Sequence, residues 1–295
     1  MSVSVRHLLA YYLSDNPRHT IIGPIRAVFR LHRFVLTFLA MSVYVVAHRA
    51  LLPTRLHLAR GRRMRYLVGR RISAAAGARI RRSGIARSVA VRSRVAPMIV
   101  CNHISWLDAF ILGGELGARF VAEGAWGTTP ILGTVLRAGG IIFIDRRSVR
   151  DAQRIGRQVG TLLERGERFV VFAEAGTSRG AAVQPFKGAL LETSARARLP
   201  VSWAVLRYET PPGWPPASVV MGWPDWTPIV LHMYRAFHVP RIETELYYGR
   251  EPIVAGDRKE LARRLHEEVS AQFVPLPQPS PEEMVRIECP YSRWH

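Results

Sequence analysis

The stretch PMIVCNHISWLDAF, residues 97–110, begins as an apolar, β-branched run, crosses a short polar turn and continues as an apolar segment of helical length. A short apolar run that ends at a turn is typical of a buried strand. Ser105 and Asp108 have the S-x-x-D spacing of a capping box, which predicts a helix over 105–113 and leaves His103 in the turn before it. The stretch therefore predicts the strand, turn and helix of an α/β fold.

Short β-branched runs and helix-length segments alternate from Ser93 onward. This alternation predicts an α/β domain with a mixed, largely parallel sheet flanked by helices. The predicted strands are 97–101, 118–123, 140–145, 168–174 and 199–208, with a later pair near 217–223 and 241–249. The predicted helices are 105–113, 130–138, 150–165, 186–197 and a last one that begins with the D-x-x-E pair of Asp257 and Glu260.

The N-terminal third has a different composition, with an uncharged segment between basic residues. Residues 34–47, FVLTFLAMSVYVVA, carry no charge and are flanked by basic side chains. A spanning helix needs roughly 20 apolar residues, so this segment is short for a crossing and is better suited to an interfacial or re-entrant helix; a buried core helix is the alternative. Residues 53–92 are predicted to continue as basic helix. The predicted organisation is a membrane-associating helical region (1–92), an α/β domain (93–274) and an extended tail (275–295).

The chain has a formal net charge of +20 and contains no Asp or Glu between residues 16 and 107. An excess of this size favours a polyanionic neighbour, either nucleic acid or an anionic membrane leaflet. Proteins that bind nucleic acid usually interleave exposed aromatic residues with the basic ones, whereas 53–96 holds a single aromatic, Tyr66. The membrane is the favoured partner, and no nucleic acid is expected.

His103 and Asp108 are the first candidates for chemistry. Imidazole takes a proton from a hydroxyl near neutral pH when a partner fixes its tautomer and stabilises the cation, and Asp108 could be that partner. A helix-capping Asp and a hydrogen-bonded loop His would give the same letters without catalysis, so the pair alone is a weak signal.

Two more predicted strands end in polar residues. The run GGIIFIDRRS, residues 139–148, places Arg146 at the carboxyl edge of the sheet, where ligands bind in open α/β sheets and where a guanidinium suits a phosphate. The run RFVVFAEAGTSRG, 168–180, places Glu174 there, followed by Thr177 and Ser178. Residues 176–180 also match G-x-S-x-G, which leaves an α/β serine hydrolase using Ser178 as an alternative. The nucleophile elbow of such hydrolases passes directly from strand to helix, whereas residues 181–185 intervene here, so the hydrolase is the less favoured interpretation.

Taken in order, these stretches resemble the glycerophospholipid acyltransferase family typified by 1-acyl-sn-glycerol-3-phosphate acyltransferase. Asn102, His103 and Asp108 match its N-H-x-x-x-x-D motif, and the Arg of FIDR, the FAEAGT block at 172–177 and LPVSWAVLRY at 199–208 follow at similar places. The resemblance covers roughly residues 95–210. The spacing of several blocks is far more specific than any one motif.

The resemblance implies an O-acyltransferase at the cytoplasmic face of the cell membrane, held there monotopically or by one short segment. His103 and Asp108 would be catalytic, while Arg146, Glu174 and Thr177 would bind substrates. The acyl donor would be acyl-CoA or acyl carrier protein, with no further cofactor. Glu123 stands where many members have a Lys that helps hold the acceptor's phosphate, which keeps a lyso-amino-acid lipid or a glycolipid open as the acceptor. The sequence indicates no oligomeric state.

Cys101 and Cys289 are the two cysteines of the chain. They supply no disulfide framework, and no His/Cys spacing predicts a metal site. Cys101 lies two residues before His103 and could share its face of the strand as a thiol nucleophile. A small buried apolar residue is the preferred interpretation of Cys101.

Overall fold

The computed structural model describes residues 22–84, 96–145, 147–223 and 228–280, without the side chains of 54, 55, 57–59 and 149. Seven strands form one sheet in the order β1-β7-β6-β2-β5-β3-β4. All neighbouring pairs are parallel except β6 and β7. The strands are β1 (Ala78–Gly84), β2 (Met98–Cys101), β3 (Arg119–Glu123), β4 (Ile142–Ile144), β5 (Phe169–Phe172), β6 (Val201–Glu209) and β7 (Ile242–Tyr248). The predicted mixed, largely parallel fold class is confirmed.

The helices are α1 (Gly23–Leu51), α2 (Thr54–Ala76), α3 (Leu107–Leu116), α4 (Gly124–Thr128), α5 (Leu132–Ala138), α6 (Val149–Glu164), α7 (Glu192–Arg196), α8 (Ala217–Val220), α9 (Ile229–His238) and α10 (Arg258–Gln272), with a 3-10 turn at Gly188–Leu191. They pack as two groups, α1, α2, α3, α5 and α9 in one, and α6, α7, α10 and the 3-10 turn in the other. Strand β2 is buried along its whole length, as expected of a parallel strand covered on both faces.

Helix α2 crosses α3 at two glycines. A Cβ atom on Gly69 would lie 2.2 Å from the backbone nitrogen of Gly114, so neither position has room for a side chain. A buried ion pair joins the middle of α2 to the residues just before β5, with Arg65 contacting Glu167, and Arg119 of β3 contacts the same carboxylate. These contacts attach the basic N-terminal region firmly to the α/β body and fix the position of α3.

Two predictions of secondary structure are wrong. Residues 78–84 are predicted as helix but form strand β1, which pairs with β7 at the edge of the sheet. The basic side chains of this segment are compatible with a strand here because an edge strand tolerates charged residues. Residues 217–220 were predicted as strand but form helix α8. Pro216 precedes this run, and its carbonyl accepts from the N–H groups of Val219 and Val220, which satisfies a buried backbone locally.

Helix α1 is longer than the uncharged segment 34–47 suggested. It spans 29 residues, about 43 Å at the usual helical rise, and among the described residues it is the one helix long and apolar enough to cross a membrane by length and composition. One side is buried along the helix, at Ala27, Phe34 and Val45. Arg30 donates to the carbonyls of Val239 and Pro240, which ties the N-terminal half of α1 to the end of α9.

The start of the tail is packed on the body. Leu276 is buried, and its N–H donates to the carbonyl of Gly180 at 2.8 Å, while Ser218 donates to the carbonyl of Pro277. Residues 281–295 of the predicted tail lie outside the described residues. The described part therefore crosses the loop that follows β5.

Candidate active site

His103 and Asp108 meet at the carboxyl end of β2. His103 Nδ1 lies 2.8 Å from Asp108 Oδ2, and the exposed fraction is 17% for the imidazole and 0% for the carboxylate. Helix α3 begins at Leu107, two residues later than predicted, so Asp108 lies in its first turn and His103 in the loop. Because Nδ1 is engaged by Asp108, Nε2 is the ring atom that can exchange a proton with a substrate.

The buried carboxylate of Asp108 accepts several hydrogen bonds. Its Oδ2 accepts from the N–H groups of Ile104 (2.7 Å) and Ser105 (2.9 Å), which forms one half of the predicted capping box. Its Oδ1 accepts from the hydroxyl of Tyr208, at the end of β6. A carboxylate without solvent keeps its charge only when donors surround it, so these contacts make Asp108 a fixed anionic partner for His103.

Asn102 fastens the turn to the neighbouring strand. Its side-chain amide donates to the carbonyl of Leu206 at 2.9 Å, and its side-chain oxygen accepts from the Leu206 N–H at 2.8 Å. The side chain thereby continues the β2–β6 ladder by one step after the β2 backbone has turned away. The Asn of the N-H-x-x-x-x-D motif has a geometric role here, since it fixes where His103 leaves the sheet.

Glu174 braces the same loop from β5. One carboxylate oxygen accepts from the His103 N–H at 2.6 Å and the other from the Gln184 N–H at 2.8 Å. Burial raises the pKa of Glu174 to about 7, against the lowering effect of these two donors. The sequence predicts that Glu174 positions the acceptor lipid; in the structure its two oxygens contact the protein's own backbone, one in the His103 turn and one in the loop after β5.

Thr177 and Ser178 lie in the loop after β5, close to the His103 turn. The Thr177 hydroxyl donates to the carbonyl of Trp223, and the Ser178 N–H donates to the carbonyl of His103 at 3.2 Å. The Ser178 hydroxyl accepts from the Gly180 N–H at 3.1 Å. No helix follows β5 before Gly188, so the strand-to-helix elbow that a serine hydrolase needs is absent from this fully described segment.

The remaining candidates divide by position. Cys101 is fully buried, and burial raises the pKa of its thiol well above the usual range, as expected of a core residue rather than a nucleophile. Glu123 ends β3, and so lies at the sheet edge that carries His103. Arg146 lies outside the described residues. Within the part of the chain that the structure describes, no group of three or more His, Cys, Asp or Glu could hold a metal ion.

A second histidine, which the sequence does not single out, contacts the turn that carries the dyad of His103 and Asp108. His232 on α9 is completely buried, and burial lowers its pKa to about 3, so it is neutral. Its Nδ1 accepts from the indole of Trp106 at 3.1 Å, and its Nε2 donates to the carbonyl of Gly222 at 3.0 Å. The residue before helix α3 is thus tied to the 222–223 segment that also holds Thr177.

An apolar cavity of about 130 Å³ is connected to His103 through two stacked aromatic rings. The His103 ring stacks on Phe172 with centroids 3.9 Å apart, and Phe172 stacks in turn on Phe120, which lines the cavity. The walls come from the first group of helices, including Phe38 and Val45 of α1, Val68 and Ile72 of α2, Phe110 of α3 and Leu136 of α5. An imidazole base with a fixed anionic partner therefore lies two aromatic rings from an apolar chamber.

The chain is similar in sequence to known acyltransferases. Residues 86–205 match the family model described as Acyltransferase. The chain is 37% identical over 111 residues to a 1-acyl-sn-glycerol-3-phosphate acyltransferase of Neisseria gonorrhoeae, a match that covers 38% of this chain and 44% of that protein. It is 28% identical over 176 residues to a lyso-ornithine lipid O-acyltransferase of Pseudomonas aeruginosa, covering 59% and 66%. The matches confirm the predicted family resemblance, although the chain spans less than two thirds of either relative.

The fold also has a counterpart among solved structures. The crystal structure of the 1-acyl-sn-glycerophosphate (LPA) acyltransferase from Thermotoga maritima superposes with a TM-score of 0.61 at 17% identity, over 84% of this chain and 95% of that one. At this identity the similarity establishes a shared fold.

Proposed function

We propose that this protein, whose residues 86–205 carry the acyltransferase family pattern, transfers a fatty acyl group from a thioester donor to the hydroxyl of a lysophospholipid such as 1-acylglycerol-3-phosphate. The observation that carries the proposal is the 2.8 Å contact between His103 and a buried Asp108, with an apolar cavity two aromatic rings from the imidazole. A base that activates an alcohol and a chamber for a hydrocarbon chain are what such a reaction requires.

The chemistry needs no covalent enzyme intermediate. His103 Nε2 takes the proton of the acceptor hydroxyl as that oxygen attacks the carbonyl carbon of the thioester. Asp108 stabilises the imidazolium that forms. The tetrahedral intermediate then collapses, the carbon–sulfur bond breaks, and the imidazolium returns the proton to the departing thiolate. The products are an oxygen ester and a free thiol, and His103 is ready for the next cycle.

The donor is either acyl-CoA or acyl carrier protein, and both carry a phosphate. Arg146 is proposed to bind that phosphate or the acceptor's anionic head group. Thr177 is proposed to hold the acceptor's polar end through its loop, whereas the contacts of Glu174 favour a role in positioning His103. No other cofactor is part of the proposal.

Helix α1 supports an attachment to the membrane, and we propose that this attachment is at the cytoplasmic face. Its packed side runs from Ala27 to Val45, so the helix lies along the protein, and the opposite side exposes apolar residues along the same length, among them Phe29, Leu36, Leu39 and Val43. A helix fixed in this way would enter one leaflet lengthwise, which favours monotopic binding over a perpendicular crossing. The surrounding arginines would add attraction to anionic lipids.

A lyso-amino-acid lipid is the second candidate acceptor. Glu123 ends β3 at the edge that carries His103, and an acidic side chain at this place suits an amine better than a phosphate. The longer of the two sequence matches, that to the Pseudomonas protein, is to a lyso-ornithine lipid O-acyltransferase. A Glu123→Lys variant should shift preference toward lysophosphatidate if this carboxylate selects the acceptor.

The test is direct. Purified protein in phospholipid vesicles receives labelled acyl-CoA or acyl carrier protein and a panel containing lysophosphatidate, lyso-ornithine lipid and a lysoglycolipid, and the products are identified by mass spectrometry. Acylation of any member, lost in His103→Ala and kept in His266→Ala on α10, would support the proposal. Equal activity in the wild type and in His103→Ala would contradict it.

A further inference from the structure

The turn between α4 and α5 projects apolar side chains to the outside. Ile131 is 81% exposed and Trp126 is 37% exposed. No charged residue occurs from Gly124 to Leu136, in a chain where more than one residue in five is charged. An exposed Ile alone needs no explanation, but an uncharged segment that exposes both Ile and Trp is typical of a surface that meets lipid.

The backbone holds Ile131 outward at an energetic cost. Its φ is 61° and its ψ is −62°, and the N–H of Leu132 donates to the carbonyl of Pro130 at 2.6 Å, which makes a γ-turn of the rare positive-φ type. A β-branched residue in this region is a genuine outlier. Glycine would adopt the same conformation without strain, so nothing in the backbone favours an isoleucine here.

The surrounding contacts fix the turn. The N–H of Gly133 donates to the carbonyl of Thr129 at 2.9 Å. A Cβ on Gly133 would lie 2.3 Å from the carbonyl oxygen of Gly127, so α4 and α5 touch backbone to backbone. Arg137, the first charged residue after this segment in the sequence, donates to the same Gly127 carbonyl at 2.7 Å and places its guanidinium over the Phe143 ring. These contacts hold the backbone on both sides of Ile131 in place.

The turn is continuous with α1. Helix α5 packs against α1, Val45 lies 3.9 Å from the Cβ position of Gly139, and both helices line the apolar cavity. Trp126 lies 6.3 Å, ring to ring, from Trp223, whose N–H donates to the carbonyl of Ile104 next to His103. One end of the turn therefore adjoins the proposed membrane helix and the other adjoins the catalytic loop.

We propose that the α4–α5 turn is a second membrane contact, in which Ile131 and Trp126 enter the interfacial region of the leaflet that α1 occupies. This inference rests on the membrane attachment in the proposed function. Contact through α1 alone would leave the protein free to roll about the helix axis. A second contact stops that rotation and holds the His103 edge of the sheet against the lipid surface, where a lysolipid hydroxyl is presented.

The test places an environment-sensitive fluorophore at the turn. Ile131→Cys is labelled with NBD in a Cys289→Ser background, where Cys101 is buried, and the protein is bound to vesicles of phosphatidylethanolamine and phosphatidylglycerol. A blue-shifted emission that nitroxide-labelled lipids quench is expected. The matched control is Leu199→Cys. Leu199 is apolar and 38% exposed, and it lies at the amino end of β6, whereas His103 lies at the carboxyl end of the parallel strand β2, so a label there should keep a water-like, unquenched emission. Water-like emission from position 131 on bound protein would overturn the proposal.

A kinetic measurement separates this inference from the proposed function. Ile131→Asp, whose new residue tolerates positive φ better, should raise the KM for lysolipid presented in vesicles by about tenfold, from the lost burial of one Ile side chain. Its turnover of a short-chain acceptor in monomeric solution should equal that of the wild type. An unchanged KM in vesicles would count against the second contact. Vesicle-quenched fluorescence in a protein that acylates no lysolipid would keep the contact and refute the proposed function.

Discussion

Tyr208→Phe removes one hydroxyl from the centre of the site. Tyr208 is buried, burial raises the pKa of its phenol well above the usual range, and its neutral O–H donates to Asp108 Oδ1. A hydrogen bond to a charged group contributes roughly 1.5–3 kcal/mol, and the substitution leaves one oxygen of a buried carboxylate without this donor. The free energy of unfolding should therefore fall by about 2 kcal/mol.

The loss of transition-state stabilisation should be smaller than the full free energy of this hydrogen bond. Asp108 Oδ2 keeps its contacts with His103, Ile104 and Ser105, so the carboxylate retains its orientation toward the imidazole. A loss of about 2 kcal/mol in transition-state stabilisation would lower kcat/KM about 30-fold, and we expect a decrease of roughly tenfold, mostly in kcat.

Both quantities are measurable on one preparation. Urea unfolding followed by circular dichroism in detergent gives the stability, and single-turnover transfer of labelled acyl groups gives the rate. Tyr247→Phe, on the adjacent strand β7 with its ring packed on Trp203, is the matched control and should alter both by little. If Tyr208→Phe were as stable and as active as the wild type, the buried hydrogen bond to Asp108 would not exist.

Two further predictions concern the surroundings of the dyad, and a third concerns the buried ion pair between Arg65 and Glu167. Glu174 has an ordinary pKa of 4.5 in an unfolded chain and a pKa of about 7 in the fold, so it stabilises the folded state fully below about pH 4.5 and loses that contribution as pH rises through about 7. Glu174→Gln should therefore flatten this part of the dependence of unfolding free energy on pH. An unchanged slope would show that another group titrates. Ser178→Ala should transfer acyl groups at nearly the wild-type rate, whereas complete loss together with an acyl-enzyme trapped in the wild type would revive a serine hydrolase. Glu167→Gln should lower the free energy of unfolding by about 3–5 kcal/mol because it leaves the buried Arg65 guanidinium without its anionic partner, and urea denaturation with a smaller loss than about 1 kcal/mol would contradict the buried pair.

The strands that carry the site were predictable because each is a short apolar run that ends in a turn, and the central parallel strands are buried on both faces. Strand β1 was not predictable in this way. Its pattern, ARIRRSG, lacks an apolar face, and its partner β7 is about 160 residues away in the sequence. Its strand conformation depends on that distant pairing rather than on local preference.

The contact between His103 and Asp108 could be predicted from the sequence because both residues belong to one local turn. Tyr208 and His232 could not, since a Tyr at the end of one strand and a His on a late helix carry no local signal, and their roles appear only when β6 and α9 pack beside α3. The contacts of Glu174 could not be predicted for the same reason. Its position at the end of β5 was predicted correctly, but the sequence does not show that the two backbone N–H groups of His103 and Gln184 occupy both of its oxygens.

We propose that His103, held by Asp108, is the base of an acyl transfer. The most direct measurement is the single-turnover rate of ester formation from labelled acyl thioester and the preferred lysolipid in vesicles, for the wild type and for His103→Ala, with vesicle binding and circular dichroism recorded on both. His103→Ala should fold and bind membranes as the wild type does but form ester at least about 10³-fold more slowly. A rate within tenfold of the wild type would contradict it.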